Sequence, residues 1–262
     1  MNYTAKQFHL HYISQYTLIV KANYEYDMLY VLDAEGQILV YMKFESMEPS
    51  EEALKLLSLP FQQVFVSVPS QNLTFIPQDL YQEEDLDAYR DFMENPSAAI
   101  ETEHLDFLQI QALYQYDVLL SHRWKTLFPS AVFIPEFKLN LLQARPYIPL
   151  KGEVVGVVFN NSTTDIFLFV NGQFKFYNTF EILSDDDLSY FILNVFDNFQ
   201  LKDKVTKALV SGVDLEDSVL RKLDNYAHEL VYIKASHPAK ANEALEEEVS
   251  SLYLLDLPTC AS

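Results

Sequence analysis

One order of apolar runs and turn residues occurs twice in this chain, and that duplication limits it to folds built from two copies of a single plan. In the first copy, Leu18-Ile19-Val20, residues 28–32 and residues 37–44 are rich in β-branched and aromatic side chains. A polar stretch separates the first two, and Asp33-Ala34-Glu35-Gly36 separates the second from the third. Such runs, punctuated by residues that tolerate a positive φ, predict three strands joined by hairpins. The second copy reads residues 154–159, a polar loop 160–165, residues 166–170, the turn Asn171-Gly172 and residues 173–177. Gly36-Gln37 aligns with Gly172-Gln173, and the same offset sets Tyr41 on Tyr177 and Phe44 on Phe180. Identity is otherwise slight, so the repeat is one of architecture.

The segments after the two triple strands are also alike. Pro49-Ser50-Glu51-Glu52 is an acidic helix start that leads into a helix over 53–57 and a strand over 64–68. In the second copy Ser184 is the expected N-cap, with Asp185, Asp186 and Asp187 in the first turn, where the helix dipole favours carboxylates. Leu188, Phe191, Ile192, Val195, Phe196 and Phe199 then form an apolar stripe of helical period. A strand over 205–210, the turn Ser211-Gly212, a helix over 214–228 and the strand Val231-Tyr232-Ile233 complete the copy. The pattern is β-β-β-α-β-α-β, twice. Between the copies the spacing predicts a helix over 83–92, a strand over 107–113, a helix over 118–127, a strand over 131–134 and a helix over 138–144. Pro146, Pro149 and Lys151-Gly152 mark the junction, giving halves 1–150 and 151–262. Residues 242–250 read as the charged start of a last helix.

Composition narrows the partners. The 262 residues carry a formal net charge of −20, yet 49% are hydrophobic and 14% aromatic, too apolar for a disordered acidic chain. The charge therefore belongs to a folded surface. Such a surface repels phosphate backbones and anionic headgroups, which argues against nucleic acid and membranes. The first residues carry no basic segment followed by an apolar run, and no long uncharged apolar window occurs, so a cytoplasmic, soluble chain is expected. Cys260 is the single cysteine and has no disulfide partner.

Two such halves in one chain resemble the duplicated ribonuclease H-like fold of the actin-like ATPases, an α/β class with mixed sheets. More closely, Leu73-Thr74-Phe75-Ile76-Pro77 followed by an acidic, Tyr-rich helix, then Tyr177-Asn178-Thr179-Phe180 ahead of residues 187–193, resembles an uncharacterised bacterial domain-of-unknown-function family in that superfamily. Pilus-assembly proteins of the PilM kind and the division protein FtsA are its characterised look-alikes.

The resemblance implies nucleotide held between the halves by three loops. Two are hairpins whose Asp organises Mg²⁺ and whose Gly lets backbone N–H groups approach phosphate. Here the first hairpin, residues 21–27, has no glycine and carries Tyr24 and Tyr26. The second, residues 159–165, has Asn in place of the acid, although Ser162, Thr163 and Thr164 can donate to an anion. The third loop keeps one glycine in Ser211-Gly212-Val213-Asp214, with Asp214 as its expected N-cap. Asn160, Ser162, Thr163, Thr164 and Gly212 are thus the candidates for residual nucleotide binding.

No catalytic residue, metal site or cofactor is assigned. His9 and His11 alternate as they would on one face of an edge strand, but two ligands fall short of a zinc site. The three aspartates after Ser184 point around a helix rather than to one side. Ribonuclease H chemistry needs clustered carboxylates on the first strands, and residues 18–20 supply none. The expected function is a non-catalytic interaction or scaffold module with a protein partner, self-association being compatible with it. The alternative is an ATP-binding regulator or weak ATPase using ATP and Mg²⁺.

Overall fold

The computed structural model describes residues 2–95, 97–213, 218–233, 235 and 252–261. Two compact units are present: Met1–Leu139 with Leu255–Ser262, and Asn140–Leu254. The expected halves, 1–150 and 151–262, place the boundary later and assign the C-terminal residues to the second half.

Unit 1 runs β1 (Asn2–Thr4), β2 (Thr17–Lys21), β3 (Tyr26–Leu32), β4 (Ile38–Glu45), α1 (Glu51–Leu57), β5 (Gln63–Val68), β6 (Ser70–Pro77), β7 (Glu101–Leu105), β8 (Ile110–Tyr116), α2 (Val118–Leu127), β9 (Val132–Pro135) and the start of α3 (Glu136–Ala144). Its main sheet has the order β1-β4-β3-β2-β5-β9. Strands β2, β3 and β4 are antiparallel, whereas β5 and β9 extend the sheet in parallel. Leu18, Ile19 and Val20 are all fully buried, so both faces of β2 are covered, which is why its sequence reads as a continuous apolar run. Ser50 caps α1 by accepting the Ala53 N–H at 3.2 Å. Between β5 and α2 the chain inserts a second, antiparallel sheet of order β6-β8-β7.

Unit 2 runs β10 (Glu153–Asn160), β11 (Thr163–Val170), β12 (Gln173–Glu181), α4 (Asp185–Asn198), β13 (Lys207–Ser211), α5 (Ser218–Leu223) and β14 (Leu230–Tyr232). Its sheet order, β12-β11-β10-β13-β14, matches β4-β3-β2-β5-β9 strand for strand. Val155, Val157, Ile166 and Leu168 of the sheet pack with Leu188, Ile192, Val195 and Phe196 of the α4 stripe. Each such burial stabilises by about 1.5–3 kcal/mol relative to exposure.

The repeat extends to fine detail. Register shifts at Val31/Leu32 in one outer hairpin and at Leu168/Phe169 in the other. Tyr41 lies across from Tyr30 with ring centroids 4.9 Å apart, and its counterpart Tyr177 stacks on Phe167 at 5.8 Å. The aligned tyrosines are therefore cross-strand packing residues.

Several expectations need correction. His9 and His11 do not share a strand, because Leu10–Gln15 is a 3-10 helix anchored by buried Ile13. Glu83–Phe92 is likewise 3-10, with mostly exposed or half-exposed residues that give an α-helix little to pack on. The predicted strand over 107–113 begins only at Ile110, after a 3-10 turn that ends with Gln109 at φ 55°. The polar loop 160–165 contracts to Asn161-Ser162, since Asn160, Thr164 and Asp165 are buried within β10 and β11. Helix 214–228 is helical over Ser218–Leu223, and Ala227 instead bridges to Val205. Residues 214–217 and the predicted helix start at 242–250 lie outside the described residues.

Candidate functional site

In an open α/β sheet, ligands collect where parallel strands end. In unit 1 those ends bring together three side chains that the sequence does not associate. Lys21 closes β2, its register partner Ser67 lies next to the end of β5, and Glu136 directly follows β9 as the first residue of α3. Lys21 is 2% exposed, with its Nζ 3.7 Å from Glu136 Oε1. Ser67 is wholly buried on the central strand, paired in register to Lys21 on one side and Ile134 on the other.

The β2–β3 hairpin beside this group is held by its own side chains. Asp27 Oδ1 accepts the Asn23 N–H at 2.9 Å, and Asn23 Oδ1 accepts the Tyr24 N–H at 2.6 Å. Asp27 Oδ2 accepts from Arg123 Nη2 of α2 at 2.6 Å, while Arg123 Nη1 donates to the Ser46 carbonyl at 2.7 Å. Burial pushes the Asp27 carboxyl up from its usual range, and the Asn23 N–H and the Arg123 guanidinium oppose that rise. Tyr24 lies in the same turn, half exposed, and its hydroxyl accepts from Gln71 Nε2 at 2.9 Å.

In unit 2 the corresponding centre is Asp165 on β11, 2% exposed. Its Oδ1 accepts from Thr179 at 2.6 Å, and its Oδ2 accepts from Asn160 at 3.1 Å and from Asn140 at 3.0 Å. Asn140 also donates to the Tyr177 hydroxyl at 2.9 Å. Three elements therefore converge on one carboxylate.

Register shows how the units diverge. Lys21 pairs with Ser67 and with Met28, whereas Val158 pairs with Ser211 and with Asp165. Unit 1 thus buries a cation where unit 2 has valine, and unit 2 buries an anion where unit 1 has methionine.

The predicted candidates fall into two groups. Asn160 and Thr164 are 4% and 1% exposed, and Asn160 is bound to Asp165. Ser162 and Thr163 stay half-buried at the turn, where Asn161 takes φ 59° and the Ser162 carbonyl accepts the Ile182 N–H. Gly212 does lie against this hairpin: with φ 79°, a Cβ there would meet the Phe159 carbonyl oxygen at 2.1 Å. Only glycine fits. Its neighbour Asp214 lies outside the described residues. Sequence reasoning missed Lys21, Arg123, Glu136 and Asn140. Glu136 alone carried a local signal, an acid opening a helix directly after an apolar strand. Among the described residues no three His, Cys, Asp or Glu side chains are grouped to hold a metal ion, and no helix is long and apolar enough to cross a membrane.

Sheet order and hairpin placement define a duplicated α/β protein with the actin-like ATPase fold. A Bacteroides thetaiotaomicron protein of that fold and unknown function matches with a TM-score of 0.69 at 16% identity, over 92% of this chain and 98% of the other. A chain of the PilM-PilN type IV pilus biogenesis complex matches with a TM-score of 0.56 at 11% identity, over 93% and 97%. No curated protein matches the sequence. The model of the family described as "Protein of unknown function (DUF3822)" matches residues 5–230, and the chain belongs to that family.

Proposed function

We propose that this chain is a non-catalytic protein of the actin-like fold, a cytoplasmic interaction or scaffold module whose nucleotide site is degenerate. The observation that carries this reading is the use made of the two hairpin carboxylates. Asp27 is committed to Arg123 and the Asn23 N–H, and Asp165 to Asn140, Asn160 and Thr179. Either one must break buried protein hydrogen bonds before it can organise Mg²⁺, a cation that demands near-ideal oxygen geometry. Tyr24 adds bulk where phosphate would approach. The structural likeness to a chain of the PilM-PilN complex supports a protein partner for a fold of this kind.

A second reading, an ATP-binding regulator or weak ATPase, draws on the buried Lys21–Glu136 pair at the strand ends. Thermal unfolding with and without Mg-ATP separates the two. Nucleotide at about 100 times its Kd would add about 2.7 kcal/mol of stability. The scaffold reading expects no shift at millimolar Mg-ATP; a saturable rise that Lys21→Met abolishes would establish the second reading instead.

A further inference from the structure

The two sheets differ at one margin. In unit 1 the chain's own β1 runs antiparallel along the outer edge of β4, pairing Asn2 with Met42, Tyr3 with Tyr41 and Thr4 with Val40. In unit 2 the equivalent strand, β12, ends the sheet order, and among the described residues no strand follows it. The side chains register the difference. Val40 and Phe44 are 1% and 7% exposed, whereas Phe176 and Phe180, at the matching positions, are only half-buried.

Antiparallel pairing turns the backbone groups of alternate residues toward each neighbour. The Ile182 N–H donates to the Ser162 carbonyl at 3.1 Å, so the even-numbered residues at that end of β12 face β11. The backbone groups of Thr179 and Glu181 therefore face outward, and both residues are exposed. An open row of this kind recruits another strand. The bulge at Lys175 does not forbid it. The aligned Leu39 occupies the same bulge in β4, and its carbonyl accepts the Ala5 N–H, just past β1, at 2.7 Å.

Sequence decides the occupant, because β12 is complementary to itself. Turned antiparallel about Asn178, it sets Lys175 opposite Glu181 of a second copy, and Glu181 opposite the second Lys175. Phe176 likewise meets Phe180, in the closer, non-hydrogen-bonded kind of pair. Phe176 and Phe180 already stack at 6.3 Å within one copy, so the pairing joins two half-buried aromatic pairs into one row. Turning about Tyr177 instead would set Lys175 against Thr179 and Glu181 against Gln173, losing both ion pairs. We propose that β12 pairs antiparallel with β12 of a second copy of this chain, about a twofold axis at Asn178, joining two five-stranded sheets edge to edge. This contact does not depend on the nucleotide loops: Mg-ATP tests those, and oligomeric state tests this edge.

Sedimentation of the full chain over about 1–200 μM spans the range in which a contact this small dissociates. At physiological salt the screening length is about 8 Å, which mutes the repulsion between two chains of net charge −20. A monomer–dimer equilibrium is expected. Lys175→Glu or Glu181→Lys, both at exposed positions, sets like charges opposite each other twice per dimer and should weaken it by about tenfold. The double variant restores both pairs in reversed order and should return the affinity to within about threefold of the parent. Asn178→Cys sets two thiols across the axis, and mild oxidation should link them, while the native Cys260 is buried. Gln173→Cys, away from the axis, should stay unlinked. A chain that stays monomeric throughout would leave the edge to a strand of another protein and overturn the proposal. A dimer indifferent to both single reversals, a double variant no better than either single, or equal cross-linking at 173 and 178 would overturn it too.

Discussion

At the scale of single residues, Asp165 and Gly212 each hold one side of the β10–β11 hairpin in unit 2. Replacing Asp165 by Ala strands donors from Asn140, Asn160 and Thr179 in a buried site, and the expected loss is about 3 kcal/mol in urea unfolding. Asp165→Asn, which retains an acceptor, should cost less. Gly212→Ala should cost about 2 kcal/mol or more, because it adds both a strained positive φ and a 2.1 Å approach to the Phe159 carbonyl. Cys260 makes a different prediction. It is 1% exposed, and burial pushes its thiol up to about 11 from 9.0. At pH 8 only about 0.1% is thiolate, so alkylation of native protein should be far slower than of unfolded chain. The raised value means the folded state holds the proton more tightly. Its contribution to stability is present below pH 9.0 and is lost as pH rises through about 11, an order that alkaline unfolding of Cys260→Ala against the parent can check. Little of this was legible beforehand. Arg123 and Asp27 are 96 positions apart, and no local pattern announces a pair made by tertiary packing.

At the scale of elements, the sequence was most informative where the physics is local. Ser184 was readable as an N-cap, and it accepts the Asp187 N–H at 3.2 Å while Asp187 accepts the Leu183 N–H at 3.1 Å. Ser184→Ala should therefore lower stability by about 1 kcal/mol, a loss that chemical denaturation can measure. The triple strands were equally readable, since hairpin turns and strand propensity are both short-range. The inserted sheet was not. The bounds of β6 (Ser70–Pro77) do not show in the sequence because its residues are mostly half-exposed, and β7 (Glu101–Leu105) is polar on both faces, with Glu101 and Glu103 half-buried and Thr102 and His104 exposed. Neither shows the alternation that marks a half-buried strand. The candidate site was legible only as a pair of hairpins, because the strand spacing marks their turns. The groups that occupy those turns depend on α2 and α3, which arrive from distant sequence.

At the scale of the whole molecule, a net charge of −20 on 262 residues implies self-repulsion that opposes compaction. Raising monovalent salt from about a tenth of physiological to physiological strength shortens the screening length to about 8 Å and should raise the melting temperature. A fall would mean that surface ion pairs such as Lys55–Glu51 outweigh the repulsion. Duplication set the plan, and divergence then placed a buried lysine in one copy and a buried aspartate in the other.

The discontinuity of unit 1 bears on how the protein is made. Its last segment, Leu255–Ser262, is separated from the rest of the unit by the whole of Asn140–Leu254, and Leu257 and Cys260 in that segment are buried. On the ribosome, unit 2 is synthesised in full while unit 1, although translated first, still lacks its closing piece. Its final closure must await the passage of all of unit 2 through the exit tunnel.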